Sequence, residues 1–166
     1  MKTLTKLILG LGLTVSATVN AAGLAVVDLA KVVESSTYLK QQNASLSQSV
    51  KPTSTRLEQL GKELESLQQK AQTEGQKMNQ ADIQKLTAQY QSKLSEFNST
   101  QQGLQTKVQS SLQAMNTTFE TRVKQAAEQL RKENNLDFIL NKNSTIASDA
   151  QYDLTDKMIQ KVNSIK

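Results

Sequence analysis

Between Leu57 and Leu130 the apolar residues recur at helical spacing for longer than any compact domain could bury in one helix. Leu57, Leu60, Leu64, Leu67 and Ala71 step by three and four, which is a heptad seam. The pattern breaks around Thr73–Asp82. It resumes with Ile83, Leu86, Tyr90, Leu94 and Phe97, and from Leu104 to Leu130 the steps are 4, 4, 3, 4, 4, 3, 4. That eleven-residue repeat gives a nearly straight helix, not a tight left-handed supercoil. The positions between are Gln, Ser, Thr, Lys and Glu. Two amphipathic helices with such stripes must bury them against each other or against another chain. A helical hairpin is the expected centre of the fold.

The expected tip is Thr73–Asn79. Gly75 supplies backbone freedom there, and Asn79 with Asp82 resembles a capping box for the returning helix. That helix runs to about Asn134, on the order of 80 Å. The first arm starts near Tyr38, with Leu39, Leu46 and Val50 carrying a thinner apolar face. Pro52, the only proline, either starts a new helix or kinks one long arm, and the continuing periodicity favours the kink.

The two ends of the chain read differently. Lys2 and Lys6 precede an apolar run, Leu7–Val15, then small and polar residues to Ala22. This has the order of a secretory signal peptide, residues 1–21, cut after Ala21. The run is shorter than the roughly 20 apolar residues that a membrane span needs. Leu24–Asp28 suits a buried strand, and Asp28 a cap for a short helix over Leu29–Glu34 with Val32 and Val33 inward. Leu136–Leu140 is a second strand candidate, Asn141–Ser144 a turn, and Thr145–Ser148 a third, short strand. Asp153–Asp156 caps a last helix whose Leu154, Met158, Val162 and Ile165 step by four, four and three.

The expected fold class is therefore α+β and mostly α. Residues 22–36 and 135–166 form a small α/β body, and residues 37–134 form the hairpin. A body of about 45 residues rarely buries enough surface to stand alone. Disulfides are excluded because the chain has no Cys. An oligomer is expected, in which strands from several chains complete a sheet or barrel. Val26, Val27, Ile139, Leu140 and Ile146 are the residues expected to build that assembly body.

Catalytic chemistry is not indicated. The chain has no His and no Cys, so the commonest general base, thiol nucleophile and metal ligands are missing. No Gly-rich phosphate loop or clustered Asp motif appears, and no cofactor or metal is expected. The acids at Glu58, Glu63, Glu65, Glu96, Glu120 and Glu128 read as a solvated helix face with i, i+4 ion pairs, Lys62 and Lys70 serving Glu58, Glu65 and Glu74. Without the signal the balance is 18 basic to 15 acidic residues, or +3. That charge is too low, and aromatics at 4% are too few, for a nucleic-acid surface.

Taken together, Leu24-Ala25-Val26-Val27-Asp28 after the signal, the hairpin, and Leu136-Asp137-Phe138-Ile139-Leu140-Asn141 followed by Asp153-Leu154-Thr155 resemble the Skp/OmpH family of periplasmic chaperones of Gram-negative bacteria. The resemblance spans the mature chain. It implies a homotrimer with a β-barrel-like body and three hairpin tentacles around a cavity. It also implies an ATP-independent holdase for unfolded outer-membrane β-barrel proteins. Such clients expose alternating, aggregation-prone strands before insertion, and weak multivalent contact suits them better than a tight pocket. From Thr37 to Asn135 there are 13 basic and 9 acidic side chains, a field that draws acidic clients. Family tips are strongly basic and linked to lipid binding. Here Lys70, Lys77 and Lys85 alternate with Glu74 and Asp82, so only weak contact with anionic lipid or lipopolysaccharide is expected. Phe97, Met115 and Phe119 read as seam between the arms. Met78 and Ile83, near the tip and off that seam, are the candidate client contacts, with Lys70, Lys77 and Lys85. The alternative is a structural coiled-coil adaptor or spacer of the cell envelope.

Overall fold

The computed structural model describes residues 23–165. The expected signal peptide lies outside the described residues. In chain order the elements are β1 (Leu24–Val27), α1 (Leu29–Ser35), α2 (Thr37–Glu74), a 3-10 turn (Gly75–Lys77), α3 (Gln80–Glu133), β2 (Phe138–Asn141), two further 3-10 turns (Lys142–Ser144 and Ala150–Tyr152) and α4 (Thr155–Ser164). The fold is α+β and mostly helical, with α2 and α3 as a long antiparallel hairpin.

Local chemistry sets each boundary. Asp28 caps α1 by accepting from Lys31 N at 3.1 Å. Ser36, almost wholly buried, caps α2 by accepting from Leu39 N at 3.2 Å. Asn79 caps α3 through Asp82 N at 2.9 Å. The far end of α3 closes as a Schellman motif. Leu136 N donates to Arg131 O at 2.9 Å and Asn135 N to Lys132 O at 3.3 Å. Asn135 supplies the left-handed residue, with φ 50°. Pro52 lies inside α2, which continues through it as one helix. Lys107 Nζ donates to Ser49 O at 2.9 Å from the other arm. That carbonyl is next to the one at Gln48 whose helical donor the proline removes.

β1 and β2 pair in parallel, Leu24 opposite Phe138 and Val27 opposite Asn141. A parallel pair needs a crossover, and here the crossover is the whole hairpin. On its other side β1 bridges Asp153, with Leu154 N donating to Val26 O at 2.9 Å. Among the described residues the strands make a two-stranded sheet and no closed barrel. Gly23 enters this pair under close contact. A Cβ there would lie 2.8 Å from Asn135 O, while Gly23 O accepts from Asp137 N at 2.8 Å.

The core sits where β1, α1, the end of α3 and α4 meet. Val27, Val32, Ala126, Leu130, Met158 and Val162 are buried together, with Phe119, Val123, Ile139, Leu154 and Ile165 packed around them. Two expectations are corrected here. Val33 is 48% exposed, because a helical neighbour of the inward Val32 is turned about 100° away. Thr145–Ser148 is not a strand. Asn141 Oδ1 accepts from Asn143 N and the backbone turns through Lys142–Ser144. The following residues then have no ladder partner among the described residues.

Candidate functional site

Two surfaces collect the residues that the sequence singles out. The first is the outer face of the strand pair. Parallel register puts Leu24 with Phe138, and Val26 with Leu140, on one side. Ala25 with Ile139, and Val27 with Asn141, face the other side. Val27 is fully inside the chain's own core and Ile139 packs against it. Val26 is buried as well. Leu140 is 45% exposed and Ile146 fully exposed. Sequence reasoning passed over Leu24, Phe138 and Tyr152, which are also exposed. The alternation of Phe138 and Leu140 around the inward Ile139 is the signal that finds Phe138. A hollow of about 450 Å³ lies on this face, lined by Leu24, Val26, Leu140, Ala147 and Tyr152 among others. The outer edge of β2 carries no further strand among the described residues.

Side chains tie this body to the root of the hairpin. Asn163 Oδ1 accepts from Thr37 N at 2.9 Å, and Asn163 Nδ2 donates to Ser35 O at 3.2 Å. The Arg122 guanidinium lies 4.1 Å from the centre of the Tyr38 ring and donates to Ile165 O. Thr155 Oγ1 accepts from Asp28 N at 2.9 Å, and Asp153 Oδ1 accepts from Thr155 N at 2.9 Å. Lys142 lies 2.6 Å from Asp153. The bonds from Lys142 and Thr155 hold the Asp153 carboxyl down at about 2.

The second surface is the tip. Met78 and Ile83 are not off the seam. Both line a cavity of about 450 Å³ between the arms, with the seam residues Leu67, Ala71, Leu86 and Tyr90. Lys70, Lys77 and Lys85 surround a neighbouring hollow with Glu74 and Asp82. Among the described residues none of these five belongs to an ion pair.

The ion pairs of the hairpin lie further down, and they differ from the expected i, i+4 set. Arg56 Nε donates to Glu96 at 2.9 Å across the arms and also reaches Glu63 at 3.7 Å. Lys93 reaches Glu63 at 2.6 Å, again across the arms. The hydrogen bond from Lys93 holds the Glu63 carboxyl below its ordinary value. These pairs depend on which residue of one arm faces which of the other. Leu60, beside them in α2, is fully buried, whereas no residue from Gly61 to Ala114 is. Met115 is buried in the lower seam, and Phe119 packs on the body core. Among the described residues no group of three acidic side chains is placed to hold a metal ion, and no helix is long and apolar enough to cross a membrane.

A family model described as "Outer membrane protein (OmpH-like)" matches residues 23–162. The chain belongs to the OmpH-like family. No curated protein matches it. Among solved structures it is similar to an OmpH-like protein of Caulobacter crescentus, described as a candidate outer membrane chaperone, at 15% sequence identity and a TM-score of 0.74. The match covers 87% of this chain and 85% of that one. At that identity the likeness establishes the fold, and the fold is the OmpH-like one: a small end-to-end body with a long helical hairpin. In this OmpH-like chain the strand face and the tip stand at opposite ends of the hairpin.

Proposed function

We propose that the chain is an ATP-independent periplasmic holdase, exported by cleavage after Ala21. Its terminal segments assemble three copies, and its three hairpins enclose unfolded outer-membrane β-barrel proteins until they insert. Residues 22–36 and 135–166 act as the assembly body and residues 37–134 as the tentacle. One observation carries the reading. An OmpH-like body leaves Phe138, Leu140 and Ile146 exposed beside an open strand edge, at the root of a hairpin far too long to fold back on it. An exposed apolar strand edge calls for a partner chain, and copies joined there would carry their hairpins side by side. Clients would meet the half-exposed seam and the unpaired Lys70, Lys77 and Lys85, which also suit weak contact with anionic lipid or lipopolysaccharide.

Continuity of α2 through Pro52 favours a second reading, a stiff adaptor or spacer of the envelope. Light scattering by several unrelated porins diluted from urea separates the two. The holdase reading expects an equimolar amount of assembled protein to suppress scattering by each of them. If scattering is unchanged while one folded envelope protein binds, the spacer reading replaces it.

A further inference from the structure

The tip cavity has an origin in the sequence. Ala71 and, one turn later, Gly75 place almost no side chain where the arms face each other, opposite Leu86 and Tyr90. The seam therefore stays unfilled at its end. A void left by small residues among large apolar ones loses the contacts that would otherwise fill it, and its volume falls in the range of about 300–1,000 Å³ of built ligand sites. Ile83 is 45% exposed at its edge, so the space opens to the outside. The adjoining hollow shares Met78 and Leu86 with it and presents Lys70, Lys77 and Lys85 alternating with Glu74 and Asp82. Rim charge of both signs limits a uniformly anionic membrane surface to weak contact. It does suit a polypeptide, whose side chains carry both signs and whose amides bond to either.

We infer that the cavity between the two arms at the tip, bounded by Leu67, Ala71, Met78, Ile83, Leu86 and Tyr90, is a binding site for an extended polypeptide that inserts one large aromatic or aliphatic side chain while an adjacent carboxylate meets the lysine rim. The inference deepens the chaperone reading and rests on it for the source of the polypeptide. It differs from enclosure between tentacles, because one hairpin supplies the whole site. Many such weak anchors, one per hairpin, would act together on a long unfolded client.

The chain has no Trp, so a tryptophan on a peptide reports its own surroundings. The probe is an unstructured decapeptide with one Trp between two Asp residues, and its control replaces that Trp by Ser. With the full mature protein the Trp emission is expected to move to shorter wavelength on binding, and the Ser peptide is expected not to compete. Gly75→Leu fills the cavity from within. A Cβ at Gly75 meets nothing within 4 Å, and its φ of −55° suits any residue. It is expected to weaken binding roughly tenfold, the worth of one lost buried side chain, with an unchanged or higher melting temperature. An unshifted emission, or a shift that Gly75→Leu leaves intact, overturns the site. So does full displacement of the peptide by vesicles of phosphatidylglycerol, which would make the tip a lipid-binding surface. Porin scattering with the same two proteins keeps the readings apart. Equal suppression by wild type and Gly75→Leu, with peptide affinity unaltered, removes the tip site and leaves the holdase. A shifted, Gly75-sensitive peptide with no suppression by wild type supports the site and removes the holdase.

Discussion

Asp153 joins three segments that are far apart in the chain. Its carboxylate accepts from Thr155 at the start of α4 and pairs with Lys142 after β2, and its backbone bridges β1. Its carboxyl is held at about 2, below the ordinary 3.8, chiefly by the bond from Lys142 and then those from Thr155. The charged form is favoured in the folded state. The stability it adds is therefore complete above the unfolded value and is lost as pH falls from about 4 through about 2. Asp153→Asn keeps an acceptor for Thr155 and loses the charge. It is expected to cost on the order of 1–2 kcal/mol at pH 7 and to converge with wild type near pH 2. Urea midpoints at both pH values check this, and an equal gap at both would contradict the assignment. Sequence spacing suggested Asp153 as a helix cap but not its partner at Lys142, because that contact depends on how β2 turns back.

Among the elements, the hairpin was the most legible, since one stripe of apolar residues specifies both its helices and their facing surfaces. Its register was not legible. The thin apolar face of α2 does not choose among registers, so the cross-arm set of Arg56, Glu63, Lys93 and Glu96 could not be paired from spacing alone. The same gap hid the tip cavity, which turned Met78 and Ile83 from outward contacts into lining residues. The strands were legible from their apolar runs, but Thr145–Ser148 carried a strand-like composition without a ladder partner. Pro52 belongs at this scale too. An interior proline costs a helix roughly 3 kcal/mol, and Lys107 bonds the neighbouring Ser49 carbonyl from the other arm. Pro52→Ala is expected to stabilise the hairpin by about 1–3 kcal/mol and to slow amide exchange in the turn around it. Exchange there as fast as in wild type would mean that the proline places no strain on α2.

For the whole molecule, the body holds one small core and leaves an apolar strand face uncovered, while the hairpin holds most of the chain and little buried surface. The proposed assembly through the ends would complete both parts in one step. That account links Phe138, Leu140 and Ile146 to the action of the hairpins, because tentacles enclose a client only when a body gathers them. The most direct measurement is the mass of the mature protein in solution, by light scattering on a sizing column across a dilution series. The account predicts an elongated particle of three times the chain's mass, shifted toward the monomer by Leu140→Asp. A monomer at all concentrations would contradict it, and a dimer would replace the enclosing cavity with a paired spacer.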